Sequence, residues 1–269
     1  MAPWYIALFM GLVEGLTEFL PVSSTGHLIL AGHLVNFTGP KAESFEIAIQ
    51  LGAILSVVVL YRDRFTGLLR SDPARTFSGV RGVLLLLLTS LPALALGFLA
   101  HGAIKEHLFG PRTVAMALVV GAVLMIAVEA LAARKSRVRR VGGLDSLSPG
   151  LALGIGCFQC LSLWPGFSRS GATIMGGMLL NVDRKTAAEY SFLAAVPVMC
   201  AAVGYDLLKN WRLFSADDMT FLAVGFVVSF FSAIVAVRAF IGLVSRMTLV
   251  PFALYRLALA PLVWFFWPA

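Results

Sequence analysis

Apolar residues run through this chain in long unbroken stretches, separated by short basic segments and by clusters of Pro, Gly, Ser and Thr. Crossing a hydrocarbon core of about 30 Å takes roughly 20 apolar residues in a helix. Six stretches fit that length: residues 45–61, 83–100, 113–132, 186–208, 219–240 and 249–267. Two further apolar regions, about 3–35 and 147–180, are broken near their middles by Pro, Ser, Gly and Thr. In lipid such a break would strand backbone N–H and C=O groups without partners, so it survives only where protein or trapped water surrounds it. Both regions are therefore expected to be re-entrant helix–loop–helix segments. The fold class that follows is an all-α polytopic membrane protein of about six transmembrane helices plus two re-entrant segments.

Charge adds a topology. Residues 62–81 hold five arginines and residues 134–140 five basic side chains, whereas 101–112 and 209–218 hold two each. Loops rich in Lys and Arg stay on the cytoplasmic side. The first span then runs inward, Glu129 lies near a cytoplasmic helix end where it can snorkel, and both termini lie outside.

The hydropathy plan repeats. At an offset of 144, Pro21 matches Pro165, Ser24 matches Ser168, Gly32 matches Gly176 and Tyr61 matches Tyr205. Two repeats, about 1–132 and 147–269, each with one re-entrant pair and three spans, are related by inversion because three is odd. Their broken segments then enter from opposite faces and meet near the midplane.

Composition agrees. Of 269 residues 59% are hydrophobic and 13% charged, and the mean hydropathy is +0.89, which excludes a water-soluble domain. The formal charge of +7 sits in loop clusters, so it reports topology and gives no reason to expect nucleic acid. The N-terminus lacks a basic n-region and a small-residue cleavage site, so its first apolar segment is expected to be retained. Cys157 and Cys160 have Cys-x-x-Cys spacing without a second ligand pair nearby, and are expected to be small helix-packing residues.

The candidate chemistry lies at the two breaks. EGLTEFLPVSSTGH, residues 14–27, sets Glu14 and Glu18 four apart on one helical face. Pro21 stops that helix, Ser23, Ser24, Thr25 and Gly26 supply hydroxyls and free amides, and His27 opens the next apolar stretch. WPGFSRSGAT, residues 164–173, adds Ser168, Ser170, Thr173 and one intramembrane guanidinium, Arg169, whose planar fork suits phosphate. Any one of these residues alone is accounted for by a structural ion pair, a helix cap or packing. Two carboxylates, a histidine, an arginine and five or more hydroxyls at two matching breaks point instead to one buried anion site. Glu46 and Gln50, one turn apart, extend the same cavity. His33, His101, His107, Arg238, Arg246 and Arg256 fall near element ends or in loops and are expected to anchor at the interface.

These two motifs, with FEIAIQLGAILSVVV between them, closely resemble the bacterial undecaprenyl pyrophosphate phosphatase family, also called bacitracin-resistance proteins. The resemblance runs from near the N-terminus to the last span. It implies hydrolysis of undecaprenyl diphosphate to the monophosphate and phosphate at a site on the outer face of the cytoplasmic membrane. This recycles the lipid carrier for peptidoglycan and other envelope polymers. A divalent cation, Mg²⁺ or Ca²⁺, and a homodimer are implied by the resemblance alone. A related pattern in the phosphatidic-acid phosphatase superfamily places a histidine six residues after its arginine; Met175 stands there, so that match fails.

Within this reading Arg169 and the amides and hydroxyls of Ser168, Ser170 and Thr173 grip the diphosphate, together with Ser23, Thr25 and Gly26. The attacking group is Ser24 activated by His27 or Glu18, His27 itself, or a water held by Glu18 and a metal. Glu14 and Glu18 are the candidate ligands of a hard cation. The rival class is a secondary transporter or polyprenyl-phosphate flippase, which also uses inverted repeats with broken helices. A purely structural or sensing role is the third.

Overall fold

The computed structural model describes residues 3–108, 110–134, 140–215 and 218–267. Twelve α-helices occur in these residues. The first half holds α1 (Trp4–Thr17), α2 (Ser24–Leu34), α3 (Pro40–Leu60), α4 (Arg62–Leu68), α5 (Gly79–Leu99), α6 (His101–His107) and α7 (Pro111–Arg134). The second holds α8 (Pro149–Gln159), α9 (Arg169–Leu179), α10 (Arg184–Asn210), α11 (Met219–Val244) and α12 (Val250–Phe266). Helices α3, α5, α7, α10 and α11 are long and apolar enough to cross a membrane. The sixth expected span is the 17-residue α12, shorter by a turn. The protein is an all-α, multi-pass membrane protein.

Two differences from expectation are local. Residues 62–68 and 101–107 form the short helices α4 and α6 where loops were expected. Of the basic stretch 134–140, residues 135–139 lie outside the described residues, as does the side chain of His101.

The broken segments are built alike. In the first, α1 ends at Thr17 and the chain turns through residues 18–22, which include Pro21; α2 then starts behind Ser23, whose Oγ accepts from Gly26 N at 3.4 Å. In the second, α8 runs into a 3-10 turn, Cys160–Leu163, then Pro165 and Gly166, and α9 starts behind Ser168, whose Oγ accepts from Gly171 N at 3.2 Å. Both caps carry positive φ, 71° at Ser23 and 77° at Ser168, a left-handed conformation that costs a non-glycine residue about 1–3 kcal/mol. Each second helix ends the same way. Asn36 (φ 52°) and Asn181 (φ 66°) close αL caps in which Phe37 N bonds Gly32 O at 2.8 Å and Val182 N bonds Gly177 O at 2.9 Å. All these pairs lie 145 residues apart. The offset of 144 is therefore corrected by one residue: Ser23 pairs with Ser168, Ser24 with Arg169 and Gly32 with Gly177.

The packing repeats with the sequence. Helix α1 lies on α11 and α8 on α5, while α2 meets α12 and α9 meets α7. Helices α3 and α10 pack together, as do α7 and α12, so each pair joins corresponding elements of the two halves. Close approach depends on small residues. A Cβ on Gly11 or Gly15 would strike α11 at Gly225 and Ser232, and one on Gly156, the counterpart of Gly11, would strike the backbone of α5 at Thr89. The outer face of α5 keeps Leu87, Leu91 and Phe98 exposed, as a surface against acyl chains requires.

Charged residues tie the helix ends. Glu129 does not snorkel: its carboxylate is buried and takes two bonds from Arg184, at 2.6 and 2.8 Å, and one from Leu249 N at 2.8 Å. This joins α7, α10 and the start of α12. Of the two cysteines expected to pack between helices, Cys157 is exposed, whereas Cys160 is half-buried with its thiol on Gly156 O at 3.7 Å.

At another corner Lys41 donates to Asp218 Oδ1 at 2.7 Å, and Asp218 also accepts from Ser215 N. The Lys41 hydrogen bond first, then that from Ser215, pulls the Asp218 carboxyl from its ordinary value down to about 2. Because the folded value is depressed, its stabilisation is complete above the ordinary value of 3.8 and is lost as pH falls towards about 2. The melting-temperature difference between the wild type and Asp218→Asn is expected to be steady near neutrality and to shrink across that window. A difference independent of pH down to that value would contradict the tie.

Candidate active site

The two breaks meet. Ser170 Oγ, wholly buried, donates to Leu20 O at 2.9 Å, so a hydroxyl of the second break satisfies a carbonyl freed by the first. Beside this contact Arg169 Nη2 lies 3.1 Å from Glu18 Oε1, with only 11% and 9% of the two side chains exposed. Ser24 Oγ donates to the other oxygen, Glu18 Oε2, at 2.6 Å. One carboxylate thus holds the first residue of α2 and the first residue of α9, which are corresponding positions in the repeat.

A cavity of about 160 Å³ opens here, lined by Glu18, Ser23, Ser24 and Thr25 from the first break, by Ser162, Pro165, Gly166, Ser168 and Arg169 from the second, and by Gln50 and Met199. Two helix N-termini border it, and their first-turn amides have no intrahelical partners. Aligned peptide dipoles and a guanidinium at one wall suit an anion.

Arg169 is held from behind. Its Nη1 donates to Ser191 O at 3.0 Å and to Ser191 Oγ at 3.3 Å, and its guanidinium sits 5.5 Å from the Phe19 ring centre. Thr173 Oγ1 bonds Arg169 O at 2.9 Å and Ser191 Oγ at 2.6 Å. Arg169 Nε is buried and has no hydrogen-bond partner among the described residues.

Of the expected diphosphate-binding residues, Ser23, Thr25 and Ser168 line the cavity, while Gly26, Ser170 and Thr173 stand behind it as frame. The Gly26 amide is taken by the Ser23 cap, and Ser170 and Thr173 are fully buried in the bonds just given. Gln50 reaches the cavity; Glu46 is not among its lining residues and lies beside Gly32 on α2. His27 is also set apart. Its Nδ1 is 2.7 Å from Ser23 O, and its Nε2 is 2.7 Å from the Tyr255 hydroxyl. A carbonyl only accepts, so Nδ1 carries the proton and Nε2 accepts from Tyr255.

Glu14 is one turn behind Glu18, wholly buried, and neither of its oxygens has a hydrogen-bond partner among the described residues. Two carboxylates, one of them unpaired, are the donor type that a hard cation takes. No three His, Cys, Asp or Glu side chains cluster in metal-ligating fashion among the described residues, so the rest of any shell would come from ligand oxygens and water.

Sequence reasoning missed Ser191, Met199, Tyr255 and Arg256. Arg256 was expected at an interface. It is instead fully buried and gives its hydrogen bonds to the carbonyls of Ala117, Leu118, Gly166 and Phe167 at 2.8–3.3 Å. Arg238, Arg246 and His107 are exposed and His33 half-buried at the end of α2.

The family model of the bacitracin resistance protein BacA matches residues 7–262, which include both breaks and every cavity residue. The chain belongs to the bacitracin resistance protein family. Among curated relatives, proteins named undecaprenyl-diphosphatase from Nitratidesulfovibrio vulgaris strain DP4 and Maridesulfovibrio salexigens are 66% and 65% identical to it over 99% of this chain and 99% and 100% of their own lengths. One of the same name from Lawsonia intracellularis is 53% identical over 98% of each chain. The polar residues drawn together by the Glu18–Arg169 contact come from the two breaks, residues 14–27 and 164–173.

Proposed function

We propose that this protein hydrolyses undecaprenyl diphosphate to undecaprenyl phosphate and inorganic phosphate in the bacterial cytoplasmic membrane. On this reading the repeats are inverted, the cavity opens to the outer side, the chain pairs as a homodimer, and the reaction recycles the carrier and lowers sensitivity to bacitracin. The observation that carries the reading is the Ser24–Glu18–Arg169 link at two helix N-termini, in a chain whose relatives bear the diphosphatase name.

In the resting site two buried charges satisfy each other, since either alone in low dielectric costs several kcal/mol. An entering diphosphate offers Arg169 a second set of anionic oxygens, with the unpartnered Nε as an additional donor. As the guanidinium turns to the substrate, Glu18 is released as a base. Ser24 Oγ, already donating to Glu18, gives up its proton and attacks the terminal phosphorus. The bond from that phosphorus to the bridging oxygen breaks, and its electron pair leaves with the prenyl phosphate. Glu18 passes the serine proton to the departing prenyl phosphate; water then attacks the phosphoserine phosphorus, Glu18 takes the water's proton, and that proton returns to Ser24 Oγ as the phosphorus–Oγ bond breaks. Arg169 and the amides of α2 and α9 stabilise the equatorial oxygens throughout. His27, committed to Ser23 and Tyr255, orients the turn rather than serving as the base. A bound Mg²⁺ or Ca²⁺, held by Glu14 and Glu18, would supply further neutralisation of diphosphate charge.

Purified protein in detergent has no second compartment, so phosphate release from a prenyl diphosphate there is catalysis and not transport. Ser24→Ala, Glu18→Gln and Arg169→Ala are each expected to lower that rate by at least about 100-fold with the fold retained. Wild-type turnover by Ser24→Ala would reject the serine nucleophile. Full chelation is expected to reduce the rate and added Mg²⁺ or Ca²⁺ to restore it; activity unchanged under chelation would remove the cation from the reading.

A further inference from the structure

Adjacent residues on α12 hold the two breaks from one side. Tyr255 donates to His27 Nε2 at 2.7 Å, and the rings stack with centroids 5.5 Å apart and planes 5° from parallel. His27 in turn holds the carbonyl of Ser23, the residue before the attacking hydroxyl. Arg256 takes the carbonyls of Gly166 at 3.1 Å and Phe167 at 2.8 Å, the residues just before Ser168 and Arg169. Its other donors grip Ala117 and Leu118 of α7, the helix that packs on both α9 and α12. Among the described residues no carboxylate pairs with Arg256; its guanidinium bonds backbone carbonyls and lies 5.9 Å from the Phe167 ring centre.

We propose that Tyr255 and Arg256 are positioning residues that set the two halves of the site in register: Tyr255 aims Ser24 through His27, and Arg256 places the Ser168–Arg169 turn. A guanidinium is needed because its donors lie in one plane and reach several carbonyls at once, which an ammonium does not. The tyrosine hydroxyl is needed because, with Nδ1 donating to Ser23, Nε2 is the remaining ring nitrogen, and its partner fixes ring and tautomer together. The two residues therefore act on different steps. Displacing the first turn misaligns attack, whereas displacing the second weakens the grip on diphosphate. This rests on the site assignment above.

The test measures kcat and KM for prenyl diphosphate hydrolysis by the full-length protein in detergent, with the ¹⁵N resonances of His27. Tyr255→Phe keeps the stacked ring and is expected to lower kcat about tenfold or more with KM within about twofold, as small misplacements of reacting groups do. The His27 signals are expected to change from a single Nδ1–H tautomer to a mixture. Arg256→Lys keeps the charge and is expected to raise KM about tenfold or more, since one ammonium cannot span the four carbonyls. Wild-type kcat in Tyr255→Phe, kcat and KM changing together there, or a folded Arg256→Lys with wild-type KM would overturn the proposal. Should Arg256→Lys fail to fold, Tyr255→Phe decides alone. Arg169→Ala and Ser24→Ala run in parallel: if they stay active the site assignment fails, and if they are inactive while Tyr255→Phe is normal only the positioning role fails.

Discussion

A buried carboxylate joins the two breaks of this protein. Glu18 carries charge in a place where water is scarce, and it is matched there by Arg169 from the other repeat and by the hydroxyl of Ser24. Removing either charge would leave the other buried and uncompensated. The polar, left-handed turns from which α2 and α9 start are kept inside an apolar body because their partners come from other elements. Ser170 on Leu20 O and Arg256 on Gly166 O and Phe167 O are the same solution for uncharged groups: each freed carbonyl finds a donor from another element.

Such a site serves a charged head on a hydrocarbon tail. The cavity is small and polar, edged by two helix N-termini, while exposed leucine and phenylalanine side chains face outward for lipid. On the proposed function the prenyl chain stays among acyl chains and the diphosphate alone enters. The ion pair also explains how a carboxylate and a guanidinium persist inside an apolar body: they neutralise each other.

Much of this was legible in the sequence, because membrane helices are specified by length and polarity, and a polar break within an apolar run is conspicuous. The two breaks, their meeting and the Glu18–Arg169 contact follow from that logic. The register of the repeat was misjudged by one residue because prolines were matched, whereas the capping serines Ser23 and Ser168 define the equivalence. Gly26, Ser170 and Thr173 were read as ligand groups because hydroxyls and amides were counted without knowing which were already spent on caps and cross-links. Arg256 and Glu129 were read as interface residues because a charge near a helix end usually snorkels; what overrides that habit is a partner on a distant helix. One signal was available: with the offset at 145, Ser191 falls opposite Glu46 and Glu14 opposite Gln159. Tyr255 leaves no trace in local sequence, since it meets His27 across 228 positions.

The dependence of the fold on the Glu18–Arg169 contact is measured most directly by a double-mutant cycle on unfolding in detergent, using Glu18→Gln, Arg169→Leu and the combination. Each single change is expected to cost about 3–5 kcal/mol and the pair much less than their sum, giving a coupling of at least about 2 kcal/mol. Additive costs would show that the two side chains do not share an environment, and the joined site would have to be abandoned.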